Sequence, residues 1–347
     1  MHLYSLSMIA VFCLVNVALI QLLAKQARRV GLVDRHSGDQ YPLIGGICFF
    51  AATVGLLSTL EPLLPFQSEY IFCVTVLICL GVIDDRFDIS YRYRLIIQSF
   101  LAGIMIFGLD IKIVDLGDLI GSGDITLHYT SHIVTLLAIL GAINAFNMID
   151  GIDGLLITQS MITLTAIGIG FMLAGSHEQM IFCFATSALL LPCLRANIGR
   201  WGHKRKVFMG DAGSTLIGFT IIWLLIEATS QASTEYSIRT VTALWLIAVP
   251  LMDMAHVILF RVKQKRSPFK PDYNHLHHVL IGLGLPEAKT RTTISLLGIY
   301  TAGFGLWGQI TDIPEATMFF AFLAAFLLFC TFKHYALRQV SDICRGR

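Results

Sequence analysis

The chain alternates between long apolar runs and short polar segments. An α-helix rises about 1.5 Å per residue, so about 20 mainly apolar residues cross the roughly 30 Å hydrocarbon core of a bilayer. The pattern therefore predicts an all-α, polytopic membrane protein with about 11 transmembrane helices. The candidate spans are 3–24, 43–60, 70–83, 95–109, 132–146, 155–174, 179–194, 213–227, 240–260, 293–310 and 316–336.

The positions of Lys and Arg predict how these spans are oriented, because cytoplasmic loops carry an excess of basic residues. With the N-terminus outside, only Lys112 and Arg239 of the 25 Lys and Arg residues fall on the outer side. We therefore expect the N-terminus outside and the remaining basic residues in the cytoplasm. The cytoplasmic segments are then 25–42, 84–94, 147–154, 195–212, 261–292 and 337–347.

The composition agrees with a membrane protein. Charged residues make up 14% of the chain and hydrophobic residues 55%, whereas soluble domains have about 25% charged residues. We find no low-complexity tract and no internal repeat, so we expect one membrane domain over 1–347. The net charge of +2 conceals a positive cytoplasmic face, which suits anionic lipid headgroups or phosphorylated substrates.

Four polar clusters interrupt the apolar pattern, and all of them lie on the expected cytoplasmic side. They are "IDDRFD", "NAFNMIDGIDG", "KVFMGDAGST" and "SPFKPDYNHLHH". In the second cluster, Asp150 and Asp153 lie between two spans with no Lys or Arg in the segment, so they require a cation or shared protons. The EF-hand pattern, with its terminal Glu, is absent. We expect the four clusters to form one site.

The last two clusters contain groups suited to phosphate. Gly210 and Gly213 allow close backbone approach, and Asp211 can cap a helix whose N-terminus attracts anions. The segment is not a P-loop, because it lacks the required G-K-[ST]. The histidines of "HLHH" have no cysteine nearby to suggest zinc, but beside Arg266 and Lys270 they could position phosphate oxygens. With carboxylates for Mg²⁺, these features indicate phosphoryl transfer at the lipid surface.

Two other functions fit part of the pattern. A secondary transporter also has intramembrane acids, but it would place them near mid-membrane within related repeats. Asp253, after Pro250 in the ninth span, fits a transporter, although it could equally support a broken helix. A prenyltransferase would use the D-D-x-x-D form of "DDRFD", but it needs a second motif of similar form, and "DGIDG" lacks that spacing.

The motifs resemble those of a known family. "GVIDDRFDIS", "NAFNMIDGIDGL", "VFMGDAGSTLIGF" and "PLMDM" followed by "SPFKPDYNHLHH" closely resemble the polyprenyl-phosphate N-acetylhexosamine-1-phosphate transferases, in the family's order, over residues 30–290. The resemblance implies a multi-pass enzyme of the bacterial cytoplasmic membrane with its active site facing the cytoplasm. It implies transfer of a sugar 1-phosphate from a UDP-sugar to undecaprenyl phosphate, with release of UMP. It also implies a requirement for Mg²⁺, for which Mn²⁺ could substitute.

The resemblance also implies roles for individual residues. For the metal it implies Asp211, with Asn147 nearby. For the pair Asp84 and Asp85 it implies either deprotonation of the lipid phosphate or support of the metal, and we expect Asp84 to be the base. The expected catalytic residues are Asp84, Asp85, Asp150, Asp153, His275, His277 and His278. The expected substrate-binding residues are Asp34, Asn144, Asn197, Phe208, Gly210 and Lys270, with Phe208 and Asn197 at the uracil.

The implied partners are UDP-N-acetylglucosamine, undecaprenyl phosphate and membrane lipid, with a homodimer as a further possibility and no nucleic acid. The implied reaction yields undecaprenyl-diphosphate-N-acetylglucosamine, which would initiate a cell-surface polysaccharide such as O-antigen. The same reaction with another UDP-N-acetylhexosamine is the alternative. Sequence alone leaves the choice of sugar and pathway open.

Overall fold

The protein is all-helical. The computed structural model describes residues 2–34, 39–202, 205–230, 237–267 and 274–345, and within these ranges it contains isolated β-bridges but no strand. A π-helical turn, Ile104–Gly108, follows the fourth α-helix, and a short 3₁₀ turn, His128–Thr130, precedes the fifth. The α-helices are α1 His2–Val30, α2 Gly45–Thr59, α3 Gln67–Phe87, α4 Tyr91–Gly103, α5 Ser131–Ile149, α6 Leu155–Leu173, α7 His177–Asn197, α8 Gly210–Ser230, α9 Thr240–Leu246, α10 Ala248–Lys263, α11 Leu276–Gly282, α12 Glu287–Ile310 and α13 Glu315–Arg345.

Every predicted span coincides with a helix or a pair of consecutive helical elements. In the described part of the chain, 6 helices are long and apolar enough to cross a membrane, namely α1, α5, α6, α7, α8 and α13. The consecutive helices α9 and α10 would make 7 if they form one bent span. The protein is therefore a multi-pass membrane protein, whereas the total of eleven spans and their orientation stay predictions.

Helix α8 lies at the centre of the bundle. In its most apolar stretch 94% of the residues are buried, and α2, α3, α5 and α6 pack around it. Small residues allow this close packing, as they do between other membrane helices. A Cβ added to Gly46 would lie 2.5 Å from the Cα of Gly213, and one added to Gly81 would collide with Ala212. The start of α8 is thereby held against α2 and α3.

The ninth span is broken. Helices α9 and α10 meet at an angle of 82°, and Ile247 is the residue between them. Pro250 lies in the first turn of α10, where a helix has no backbone hydrogen bond for a proline to remove. The broken helix considered for Asp253 is thus confirmed, and the bend lies three residues before the proline.

The connectivity brings the polar clusters to one end of the bundle. Helices α3, α5 and α7 end there, and α6 and α8 begin there. Two backbone hydrogen bonds, from Gly45 N to Phe208 O at 2.8 Å and from Gly46 N to Met209 O at 3.1 Å, join the start of α2 to the segment before α8. Consequently residues far apart in sequence surround a single cavity.

Candidate active site

A cavity of about 540 Å³ opens among these helix ends. It is bordered by the residues that follow α1 and α5, by the end of α3 and by the start of α8. Seven aspartates line it, together with four other residues named in the sequence analysis, Asn147, Asn197, Phe208 and Gly210. The aspartates are Asp34, Asp84, Asp85, Asp88, Asp150, Asp153 and Asp211.

Asp85 caps the N-terminus of α8 from the neighbouring helix α3. Its Oδ1 accepts a hydrogen bond from Asp211 N at 2.7 Å, and its Oδ2 accepts one from Ala212 N at 3.3 Å. Helix N-termini favour anionic groups, because their first N–H groups have no partner within the helix. Gly210 makes this contact possible: its φ is +71°, and a Cβ would collide with the Asp85 carboxylate. Asp85 thereby fixes the position of Asp211.

Arg94, in the first turn of α4, connects the acids of α3 and α8. Its Nη1 lies 2.7 Å from Asp84 Oδ2 and 3.4 Å from Asp211 Oδ2, and its Nη2 donates to Asn147 Oδ1 at 3.2 Å. Asn147 Nδ2 in turn donates to Asp211 Oδ1 at 2.6 Å and to Ser214 Oγ at 2.8 Å. Charge-assisted bonds of this kind are short and directional, so the guanidinium orders three potential ligands.

Carboxylates outnumber the basic groups in this cavity. Asp84 and Asp85 lie just beyond the predicted span 70–83, and burial raises the pKa of Asp84 to about 6 and that of Asp85 to about 8. The neighbouring carboxylate of Asp211 contributes to the increase in both pKa values, whereas Arg94 opposes the increase for Asp84. Clustered acids with raised pKa values indicate a place where a cation is favourable.

The oxygen groups of this cluster fit Mg²⁺. Magnesium commonly takes one or two protein carboxylates and completes its octahedral shell with water and substrate phosphates. The side chain of Asp211 is 37% exposed, compared with 3% for Asp84, so Asp211 is the accessible carboxylate. No group of three His, Cys, Asp or Glu side chains in the described ranges could hold a metal by itself. The residues therefore fit a magnesium ion shared with a phosphate ligand.

A second basic group lies at the other side of the cavity. Lys206 Nζ lies 2.6 Å from Asp153 Oδ2 and 4.6 and 4.9 Å from the ring centroids of Tyr41 and Phe208. The two rings lie 5.2 Å apart. Asp153 has no basic neighbour in its own segment, and Lys206, in the loop before α8, neutralises it. An aromatic pair next to a cation suits a planar base that is attached to phosphate.

Asn197 joins two walls of the cavity. Its Oδ1 accepts from Gly154 N at 2.5 Å, and its Nδ2 donates to Val207 O at 3.1 Å. Both ends of the amide are therefore occupied by backbone groups. Asn197 therefore shapes the cavity next to Phe208, and its expected place at the uracil stays a prediction.

The three histidines lie beside the cavity and do not line it. The ring of His277 is 4.1 Å from that of His278 and is stacked with that of His275 at 5.7 Å. His277 packs against Gly151, where a Cβ would collide with the imidazole. Burial lowers the pKa of His277 to about 3, so this ring is neutral near pH 7. It supports the wall next to Asp150 and is not a cationic phosphate ligand in this conformation.

The structure therefore brings together most of the predicted site residues. Asn144 is separate, because its Nδ2 donates to Leu140 O at 2.7 Å within its own helix and its side chain does not line the cavity. Lys270 lies outside the described residues. The predicted residues that line the cavity are Asp34, Asp84, Asp85, Asn147, Asp150, Asp153, Asn197, Phe208, Gly210 and Asp211.

Sequence reasoning missed the two basic residues that hold these acids. Arg94 occurs in "YRYRLIIQ", two residues after Arg92, so its position does not show which of the two arginines reaches the acids. Lys206 occurs in "HKRKVF", where its neighbours are also basic. Nothing in that run distinguishes the one lysine that reaches the cavity.

Comparisons with known proteins find similarity over nearly the whole chain. Residues 69–229 match the family described as glycosyl transferase family 4. The chain is 40% identical, over 328 residues, to the undecaprenyl-phosphate alpha-N-acetylglucosaminyl 1-phosphate transferase of Escherichia coli strain K12, which covers 92% of this chain and 88% of that protein. Proteins of the same name from Salmonella typhi, 40% identical over 94% of the chain and 89% of that protein, and from Haemophilus influenzae, 40% identical over 87% and 86%, are similar as well.

Proposed function

Because the chain belongs to glycosyl transferase family 4, we propose that it transfers N-acetylglucosamine 1-phosphate from UDP-N-acetylglucosamine to undecaprenyl phosphate. The products are undecaprenyl-diphosphate-N-acetylglucosamine and UMP. The relatives described above are named for this sugar and this lipid. The reaction is proposed to take place in one membrane domain, at the cytoplasmic face of the bacterial inner membrane, and to initiate a cell-surface polysaccharide such as O-antigen.

The observation that carries this proposal is the arrangement around Arg94. One guanidinium contacts Asp84, Asp211 and Asn147 at the edge of a cavity lined by seven aspartates. So many carboxylates would repel a diphosphate unless cations lay between them. The site is therefore suited to a diphosphate that arrives with a divalent cation, and Arg94 and Lys206 supply further positive charge at its two sides.

We propose a single displacement. An oxygen of the lipid phosphate attacks the β-phosphorus of the UDP-sugar, the new P–O bond forms, and the bond from that phosphorus to the bridging oxygen breaks. The bridging oxygen and its electron pair leave with UMP. A phosphate monoester has its second pKa near 6, so it is largely ionised at neutral pH and needs little help from a base.

The contacts of Asp84 favour an orienting role. Its Oδ1 accepts from Ile89 N at 3.0 Å and its Oδ2 pairs with Arg94, so both oxygens are engaged. We propose that Asp84 aims the guanidinium at the reacting phosphate, and the role of base remains a prediction. When bound, Mg²⁺ held by Asp211 beside Asn147 would neutralise charge on the diphosphate oxygens.

The direct test supplies purified protein, Mg²⁺ and undecaprenyl phosphate with a panel of UDP-sugars and measures UMP release. We expect UMP with UDP-N-acetylglucosamine and none when Mg²⁺ is chelated. Without the lipid, a single displacement releases no UMP, whereas a covalent intermediate would release a burst equal to the enzyme present. If another UDP-N-acetylhexosamine were turned over and UDP-N-acetylglucosamine were not, the proposed reaction would stand with that other sugar as its substrate.

Orientation requires its own test. In a cysteine-free background, a cysteine at Ser122 should react with an impermeant thiol reagent added outside intact cells, whereas one at Ser267 should react only after the cells are opened. Both positions are solvent-exposed in the structure. Labelling in the reverse sense would place the cavity away from cytoplasmic nucleotide sugars.

A further inference from the structure

We infer that Lys333 and Asp253 are positioning residues of the active site, which act through the first histidine of the "HLHH" segment. This inference rests on the proposed function. It assigns a task to α13, which lies beyond the part of the chain that matches the family description. Neither residue lines the cavity.

The burial of Lys333 is unusual for its helix. Only 11% of the most apolar stretch of α13 is buried, yet Lys333 is fully buried. An ionisable group within a membrane span is costly unless it is paired inside the protein. Its Nζ donates to Asp253 Oδ1 at 2.7 Å, and Asp253 is itself only 2% exposed. A helix that mostly faces outward therefore contributes one buried charge to α10.

Asp253 uses both of its oxygens to hold the start of α11. Its Oδ1 also accepts from Leu276 N at 2.9 Å, and its Oδ2 accepts from His275 Nδ1 at 2.9 Å. A carboxylate that accepts from one imidazole nitrogen fixes the ring's orientation and tautomer. The ion pair thus determines where α11 begins and which nitrogen of His275 carries the proton.

The contacts continue from His275 to the cavity. Its ring is parallel to that of His277, with the centroids 5.7 Å apart, and His277 packs tightly against Gly151. Gly151 lines the cavity between Asp150 and Asp153. A shift at the start of α11 would therefore move the wall that carries both of these aspartates.

A double variant in which neutral side chains replace both Asp253 and Lys333 distinguishes a positioning role from simple stabilisation of the fold. Asp253→Asn and Lys333→Met each leave one buried charge without its partner, which is strongly destabilising, so both single variants should lose thermal stability in detergent and turnover. The double variant has no unpaired charge and should regain most of its thermal stability. If the ion pair only stabilised the bundle, turnover in the double variant would recover together with thermal stability.

We expect the double variant to remain about 10- to 100-fold below wild type in kcat, the range found when a group that orients a functional histidine is lost. KM for UDP-N-acetylglucosamine should change less than about 3-fold, because Lys206, Tyr41 and Phe208 at the nucleotide end lie on segments other than the wall that moves. Recovery of wild-type kcat would overturn the inference.

The control variant is Lys112→Met. It removes a lysine that is paired with Asp110 at 2.5 Å, at the opposite end of the bundle. This variant should keep wild-type turnover.

Hydrogen exchange gives a readout that does not depend on activity. In the double variant, the backbone amides of 275–279 should exchange at least about 10-fold faster than in wild type, while those of α12 stay unchanged. Unchanged exchange at 275–279 would overturn the positioning role even if no UDP-sugar proved to be a substrate. A wild-type protein without UMP release would instead contradict only the proposed function.

Discussion

Two arginines at opposite ends of the bundle each contact two carboxylates, yet their surroundings differ. Arg94 bridges Asp84 and Asp211 at the edge of a cavity. Arg239 pairs with Asp312, lies 3.6 Å from Glu315 Oε1, and also donates to Ile313 O at 2.9 Å. Asp312 is 82% exposed, so water screens this second cluster.

The difference shows what distinguishes a site from a structural ion pair. Around Arg239 the guanidinium also bonds to a backbone carbonyl, and it joins the start of α9 to the loop between α12 and α13. Around Arg94 five further aspartates line the same cavity as Asp84 and Asp211. An excess of one charge in a concave, partly buried place indicates a ligand of the opposite charge. The number of ion pairs alone does not indicate a ligand site.

The largest effect is expected from Asp211→Asn. The change keeps the shape of the side chain but removes the accessible charge for a cation, so we expect a loss of about 2–4 kcal/mol of transition-state stabilisation, roughly 30- to 1,000-fold in rate. UMP release across a Mg²⁺ titration measures it, and thermal unfolding in detergent checks that the variant is folded. Near wild-type turnover at limiting Mg²⁺ would show that Asp211 is not the metal carboxylate.

A smaller effect is expected from Arg94→Gln, with Arg239→Gln as its matched control. Loss of the Arg94 guanidinium should lower kcat roughly 10- to 100-fold, because Asp84, Asp211 and Asn147 lose their common partner, a loss of about 1.4–2.8 kcal/mol. Arg239→Gln should leave kcat within about 2-fold and cost at most about 1 kcal/mol of folding stability, as for exposed ion pairs. Equal effects on kcat would remove the distinction between the two clusters.

The smallest effect on the chemical step is expected from Lys206→Met. This lysine neutralises Asp153 and lies over the rings of Tyr41 and Phe208, so its loss should weaken nucleotide binding. KM for UDP-N-acetylglucosamine should rise about 10-fold while kcat stays within about 3-fold. A fall in kcat at constant KM would instead place Lys206 at the reacting phosphate.

Most of the fold was predictable, because an apolar run long enough to cross a membrane has few structural options. Each predicted span coincides with helical structure, including the two helices of the bent region around Ile247. The direction of that bend was not predictable. It depends on packing between distant helices, and Pro250 occupies a position where proline fits an ordinary helix start.

The acids of the site were predictable, whereas their partners were not. Asp84, Asp85 and Asp211 occur in short motifs at the ends of apolar runs, where a carboxylate needs an explanation. Arg94, Lys206 and Lys333 pair with acids that lie 10, 53 and 80 residues away in sequence. Such pairs depend on which helices meet, so sequence spacing alone does not show them. The histidines illustrate the same limit, since their motif was clear but their burial behind Gly151 was not.

The contact between Gly46 and Gly213 has a consequence for inheritance. Backbone atoms approach so closely there that any Cβ would push α2 away from α8. Every single-nucleotide change in a glycine codon that is not silent gives a residue with a Cβ or a stop. At these two positions the gene therefore has no amino-acid-changing neighbour one mutation away that leaves the contact undisturbed, and changes of residue at the start of α8 have to occur at other codons.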